Sequence, residues 1–252
     1  MSKNKLYSYR KDFLSTYMVH KEIIIDEGYN EYIEKVPRGG VIWDIGANIG
    51  IFAIQCDELH DGNISVYSFE PIPDTYKILC KNLKTRENND LHAFPFGLSD
   101  QNQEDVCFNY FSRGSAATTM GDNLDEKFEL GTKTYGGRQN AAIRFFTPLV
   151  KWYIKSGVKE RKCGLRTISS VIRSEQMQHI DLMKIDVECA ELDVLRGIEE
   201  EHFPLIKNIY LEVENYRSNH LDSILDILKR NGYQYEVVGN LADAWVDVFA
   251  RR

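Results

Sequence analysis

Five residues at the ends of two short apolar runs have the right types and spacing to do chemistry. Val41-Ile-Trp-Asp-Ile45 runs straight into the turn Gly46-Ala-Asn48-Ile-Gly50, and Glu70 closes the next apolar run, 24 residues after Gly46. Glycines let a backbone approach a ligand closely, and the start of a following helix offers unpaired N–H groups. A dinucleotide site would want the spacing G-x-G-x-x-G around a pyrophosphate. Here the glycines are spaced G-x-x-x-G, and the turn carries an acid, Asp44. An acid repels a pyrophosphate but suits a cationic amino group, whereas an acid placed like Glu70 accepts hydrogen bonds from vicinal ribose hydroxyls. The pair favours S-adenosylmethionine over a nicotinamide dinucleotide, with Asp44, Gly46, Asn48, Gly50 and Glu70 as its contacts.

Such residues need a sheet to position them. The chain reads as strand 41–45, helix 51–59, strand 64–69, helix 75–84 capped by Asp74, and strand 91–96. After a long interval the rhythm resumes with strand 180–186, helix 190–198, strand 209–213, helix 221–230, and two closing β segments, 233–238 and 244–251. This alternation is the pattern of right-handed βαβ units on a parallel sheet. One doubly wound α/β domain over 1–252 is expected, preceded by an amphipathic helical lead-in to residue 36 and interrupted by an insertion at about 111–166.

Four stretches follow one another along the chain: Val41 to Gly50, Phe69-Glu-Pro-Ile-Pro-Asp-Thr-Tyr76, Phe96-Gly-Leu-Ser-Asp100 and Asp181-Leu-Met-Lys-Ile-Asp-Val-Glu-Cys-Ala-Glu191 on to Gly197. With these motifs in this order, the sequence resembles the FkbM family of S-adenosylmethionine-dependent methyltransferases. The resemblance implies a Rossmann-like class I methyltransferase sheet, mostly parallel with an antiparallel last strand. It also implies methyl transfer, usually to a hydroxyl of a natural product, sugar or lipid-like acceptor. Where the family usually has Val-Glu-Gly-Ala-Glu, this chain has Cys189 for the glycine. A small buried residue is the expected reading, since the flanking Glu188 and Glu191 would raise a thiol's pKa rather than activate it.

Acceptor chemistry belongs beyond the carboxyl ends of strands 180–186 and 209–213. Asp186 stands at the first, and Glu214 and Asn215 at the second. Catechol-type O-methyltransferases have a similar layout around Mg²⁺, so Asp186, Glu214 and Asn215 form a candidate metal set. Strand-end acids more often contact cofactor or cap helices, and the metal-free reading is preferred. Asp186 and Glu214 are the catalytic candidates, with His220 as a further candidate base. The turn Phe96-Gly97-Leu98 is the natural neighbour of an adenine ring.

Composition bounds the rest. At 252 residues, 43% apolar and 27% charged, the chain is of ordinary globular type. The start lacks an apolar signal region, no long apolar run offers a membrane span, and five scattered cysteines suit a reducing, cytoplasmic setting. The net charge of −7 argues against general nucleic-acid binding, but it conceals an asymmetry. Residues 131–166 hold nine basic side chains and one acid, leaving a strongly acidic remainder. This segment, with Phe145, Phe146, Trp152 and Tyr153, reads as an acceptor lid, with the four aromatics packed as its own core. Lys151, Lys155 and Lys159 would meet an acceptor, or a carrier domain presenting it, that bears negative charge. The leading function is O-methylation of a small or carrier-bound natural-product intermediate. The alternatives are N- or C-methylation, an RNA methyltransferase using the basic segment, and a non-catalytic module that binds the cofactor.

Overall fold

A computed structural model describes residues 6–8, 13–112, 152, 153, 155–214, 220–239 and 245–252. The main sheet has seven strands: β1 (Val41–Ile45), β2 (Ser65–Phe69), β3 (Leu91–Phe94), β7 (Ile180–Ile185), β8 (Ile206–Glu214), β9 (Gln234–Val238) and β10 (Trp245–Arg251). Their order is β3-β2-β1-β7-β8-β10-β9. β10 runs antiparallel to both its neighbours, while the pairs from β3 through β8 are parallel. The expected Rossmann-like sheet with an antiparallel last strand is present, and the order reverses between β1 and β7, where such sheets open a ligand crevice.

Alternation along the strands sends residues to two cores. Trp43, Ile45, Phe69, Ile185 and Leu211 face α5 (Ile168–Ser174), α6 (Glu191–Arg196) and α7 (His220–Arg230). Ile42, Val66, Leu182, Tyr210 and Phe249 face α3 (Ile51–Leu59) and α4 (Pro73–Leu83). The N-terminal segment covers the same face. Its Tyr29 meets Tyr210 edge-on at 5.0 Å and Phe52 at 5.4 Å, contacts worth about 0.5–1.5 kcal/mol each beyond area burial.

Four sequence expectations are corrected. The lead-in is not one amphipathic helix: α1 (Phe13–His20) passes directly into a π-helical stretch, Lys21–Ile25, and α2 (Asn30–Ile33) follows separately. Asp74 does not cap its helix, because Pro73 takes the first turn and Ile72 the cap position; the carboxylate instead binds Arg161 at 2.6 Å. The third strand stops at Phe94, and Phe96 starts β4 (Phe96–Leu98) in another sheet. Finally, the excursion between the two βαβ halves starts before residue 111. β5 (Gln103–Phe111) and β6 (Val158–Arg166) pair antiparallel, and β4 joins β6, making a three-stranded sheet ordered β4-β6-β5. Ile72, Phe108, Tyr110, Cys163 and Leu165 give it a small core of its own. Thr167 caps α5 by accepting the Ser170 N–H at 3.1 Å, and α5 is the crossover that brings the chain back to β7. No helix among the described residues is long and apolar enough to cross a membrane.

Candidate active site

The carboxyl ends of β1, β2 and β7 are pinned together at Gly46. Its N–H and that of Ala47 donate to the Phe69 carbonyl at 3.1 and 3.0 Å, and the Asp186 N–H donates to the Ile45 carbonyl at 3.0 Å. Gly46 has φ +85°, and a Cβ there would lie 1.8 Å from the Asp186 carbonyl oxygen. No other residue fits so close a crossing. The next residues turn the backbone outward, Asn48 itself lying at φ +48°.

This turn hands its amides to Glu70. The Asn48 N–H donates to Oε2 at 3.1 Å and the Ile72 N–H to Oε1 at 2.8 Å. Glu70 is buried, and burial pushes its carboxyl up to about 8 against the lowering effect of the two amides. Asp44 is fully buried, and neither of its oxygens accepts a hydrogen bond. Its charged partner is Lys184, Nζ to Oδ1 at 3.6 Å; burial raises Asp44 to about 6 while Lys184 pulls it back. Lys184 is itself buried, lies over the rings of Phe52 and Tyr29 at 5.4 and 5.7 Å, and donates to Asp186 Oδ2 at 3.0 Å. Burial opposes its charge, but Asp186 and Asp44 outweigh that and hold it above the ordinary lysine value.

These groups line one cleft of about 320 Å³ at the carboxyl edge of the sheet. Of the residues expected from sequence, Asp44, Gly46, Asn48, Glu70, Gly97, Leu98 and Asp186 are in its wall. Gly97 belongs there for a steric reason: a Cβ would lie 2.9 Å from Leu165 Cδ2.

Gly50 and Phe96 are not in the wall. Gly50, at φ +86°, starts α3 and sits where a Cβ would press Leu79 Cδ1 at 2.6 Å. Phe96 packs on Phe94 and Phe69 at 5.6 and 5.9 Å, under the Arg166 guanidinium. His220 is the half-buried first residue of α7 and is absent from the wall as well. Glu214 ends β8; its side chain and Asn215 lie outside the described residues, as do Phe145, Phe146 and Lys151. Trp152 and Tyr153 are 68% and 43% exposed, so these two do not form the expected lid core. Lys155 and Lys159 are exposed, whereas Arg161 and Arg166 are tied to Asp74 and Glu104. Among the described residues, the carboxylate and imidazole atoms close enough to share a metal are those of Glu199, Glu201 and His202, outside the cleft.

Sequence reasoning missed Glu22, Lys184, Glu212 and Trp245, all in the wall. Glu22 is carried by the π-helical stretch, accepts the Tyr29 hydroxyl at 3.1 Å, and is raised by burial and by the Asp186 charge. Glu212 is raised by burial and then by Asp186. The signal for Lys184 was available: it is a charge inside a strand whose six residues are all buried. Cys189 is buried with φ +79°, a region that favours glycine, and its N–H donates to Glu191 Oε1 at 3.0 Å.

Comparison with known proteins agrees with this geometry. The family model "Methyltransferase FkbM domain" matches residues 44–235. The methyltransferase sdnD of Sordaria araneosa is 28% identical over 218 residues, 83% of this chain and 79% of that protein. The 31-O-demethyl-FK506 methyltransferase FkbM of Streptomyces tacrolimicus is 26% identical over 215 residues, 85% of this chain and 80% of that protein. The AMB antimetabolite synthetase AmbE of Pseudomonas aeruginosa is 28% identical over 233 residues, 88% of this chain but 11% of that much longer protein. With its glycine turn, its buried acids and the model match over most of its length, the chain belongs to the FkbM family of methyltransferases.

Proposed function

We propose that the protein is an S-adenosylmethionine-dependent O-methyltransferase acting on a hydroxyl of a small or carrier-bound natural-product intermediate. The observation that carries this reading is the presence of Asp44 and Glu70 in one cleft beside the Gly46–Asn48 turn. Asp44 brings two buried oxygens with no hydrogen-bond donor, which fit a ligand ammonium. Glu70 has one amide on each oxygen and lone pairs to spare, which fit two adjacent hydroxyls. The Gly97–Leu98 turn offers backbone groups and an apolar cover for a purine. When bound, the cofactor supplies an electrophilic methyl group on a sulfonium.

The chain's own residues must then orient the acceptor, exclude water and accommodate its proton. Met18, Val19, Ile23, Phe108, Leu165 and Trp245 supply the apolar part of the wall, and Asp186, Glu22 and Glu212 the carboxyls. Asp186 is the assigned acceptor-side carboxylate. The names of sdnD and FkbM support methyl transfer, and the latter's an oxygen acceptor. Likeness to a stretch of an antimetabolite synthetase supports a natural-product acceptor. A carrier presenting it would meet the exposed Lys155 and Lys159.

Calorimetric titration with S-adenosylhomocysteine tests the cofactor assignment. Wild type binds; Glu70→Ala and Asp44→Ala, folded by circular dichroism, bind at least about tenfold more weakly. Wild-type-like binding by both variants overturns the assignment.

A further inference from the structure

The cleft gathers acids around one cation. Across the main sheet, β1 and β7 pair Asp44 with Lys184, and two residues further toward the carboxyl edge β8 and β10 pair Glu212 with Asp247. Strand alternation puts these side chains and Asp186 on the face that the N-terminal segment roofs with Tyr29 and Glu22. Among the described residues of the wall, Lys184 is the only lysine, arginine or histidine, against Glu22, Asp44, Glu70, Asp186, Glu188 and Glu212.

We propose that Lys184 is a built-in cation of this cleft: a positioning residue that holds Asp44 toward the cofactor's amino end and Asp186 toward the acceptor, in the place a divalent metal would otherwise take. The proposal rests on the cofactor reading above. Two observations support it, and one of them bears on a metal. The ammonium lies 3.0 Å from Asp186 Oδ2 and 3.6 Å from Asp44 Oδ1, so one charge serves the two carboxylates. Its side chain is 4% exposed and lies over two aromatic rings, which fix the amine where it can reach both. The first of these contacts also means that Oδ2 of Asp186, an oxygen a Mg²⁺ ion would need, already accepts a hydrogen bond from that amine. A hard divalent cation beside a fixed ammonium would face direct repulsion.

The test uses the full chain and S-adenosylhomocysteine as probe, with every protein checked by thermal melting. Wild-type affinity is expected to be the same in EDTA and in millimolar Mg²⁺. Lys184→Ala is expected to lose roughly tenfold or more in affinity, as removal of one partner from a buried charge pair does. Propylammonium, which replaces the deleted atoms, should restore much of that loss, and sodium at equal ionic strength should not. Wild-type affinity that rises with Mg²⁺ and falls with EDTA overturns the proposal, even if Lys184→Ala does not fold. Unchanged affinity in a folded Lys184→Ala overturns it equally, as does failure of the amine to rescue. A wild type that does not bind the probe at all removes the cofactor reading, and this one with it, a result distinct from the others.

Discussion

The paired strands β1 and β7 bury one acid toward each end, and they treat the two in opposite ways. At the amino end, Asp181 is 1% exposed and fully engaged: Oδ2 accepts the Val41 N–H at 2.8 Å, and Oδ1 takes the Lys207 amine at 2.5 Å. Its own carbonyl accepts from Asn208 at 2.8 Å, so one residue ties β1, β7 and β8. Toward the carboxyl end, Asp44 on the neighbouring strand is as deeply buried, yet no donor reaches either oxygen and the nearest cation stands off at 3.6 Å. A buried polar group left without a donor costs stability of about 1–3 kcal/mol. Burial with full pairing marks the structural end of the sheet, and burial without it marks the end where the proposed cofactor site lies.

The harshest way to break the contrast is to move the carboxyl ends apart. Gly46→Ala places a Cβ against backbone, not a flexible side-chain tip, and at a positive φ. A loss above about 4 kcal/mol in urea unfolding is expected, with no probe binding. A mild variant would mean that the Asp186 carbonyl can retreat. Asp181→Ala should lose about 1–3 kcal/mol, because it orphans the Val41 amide while the exposed Lys207 amine turns to water, and whatever remains folded still binds S-adenosylhomocysteine. Asp44→Asn should change stability by less than about 1 kcal/mol, since Lys184 keeps Asp186, yet abolish most binding. If Asp44→Asn destabilised as much as Asp181→Ala and bound normally, the division of the sheet into two ends would be wrong.

Much of this contrast was legible in sequence, and its gaps have physical causes. The apolar run 41–45, the glycine turn and Glu70 stand out because buried parallel strands and tight turns leave composition signals. The main sheet followed from them. Glu22 did not, because a glutamate on an amphipathic segment reads as a solvent face, and the π-helical stretch that turns it inward has no periodic signature. Glu212 lies in a strand that is covered on both faces, where alternation no longer separates inside from outside. β5 and β6 were missed because their charged outer halves mask the alternation of Val106, Phe108 and Tyr110, and because their pairing joins residues some fifty positions apart. Asp74 bound a distant arginine in preference to its own helix start, a tertiary choice that local rules do not contain.

Burial of Glu70 makes the stability of the cleft end depend on pH. Its carboxyl titrates near 4.5 when unfolded and at about 8 in the folded chain. Between those values the folded state holds more protons, so this group's contribution to stability is present below the window and is lost as pH rises through it. Asp44, raised to about 6 from 3.8, acts in the same direction over a narrower span. Glu70→Gln cannot ionise, so its Tm should fall less than that of wild type between pH 5 and pH 8. The advantage at pH 8 should be at least about 3 °C. Parallel Tm curves would mean that the Asn48 and Ile72 amides already compensate the buried charge.

The smallest effect concerns Cys189, the residue that departs from glycine at the carboxyl end. Its φ of +79° costs an L-residue roughly 1–2 kcal/mol, while the buried thiol returns about 1 kcal/mol through packing. Cys189→Gly therefore changes total stability little, because relief and lost packing oppose each other. The informative difference is between Cys189→Gly and Cys189→Ala, which both remove the thiol while only the alanine keeps the strain. The glycine variant should be the more stable by about 1 kcal/mol in urea unfolding. Both variants should bind S-adenosylhomocysteine like wild type, since the thiol has no place in the cleft wall. Equal stability of the two would show that the loop relaxes out of the left-handed region at no cost. The Asp186 backbone, three residues upstream and locked to Gly46, would then be held by β1 alone.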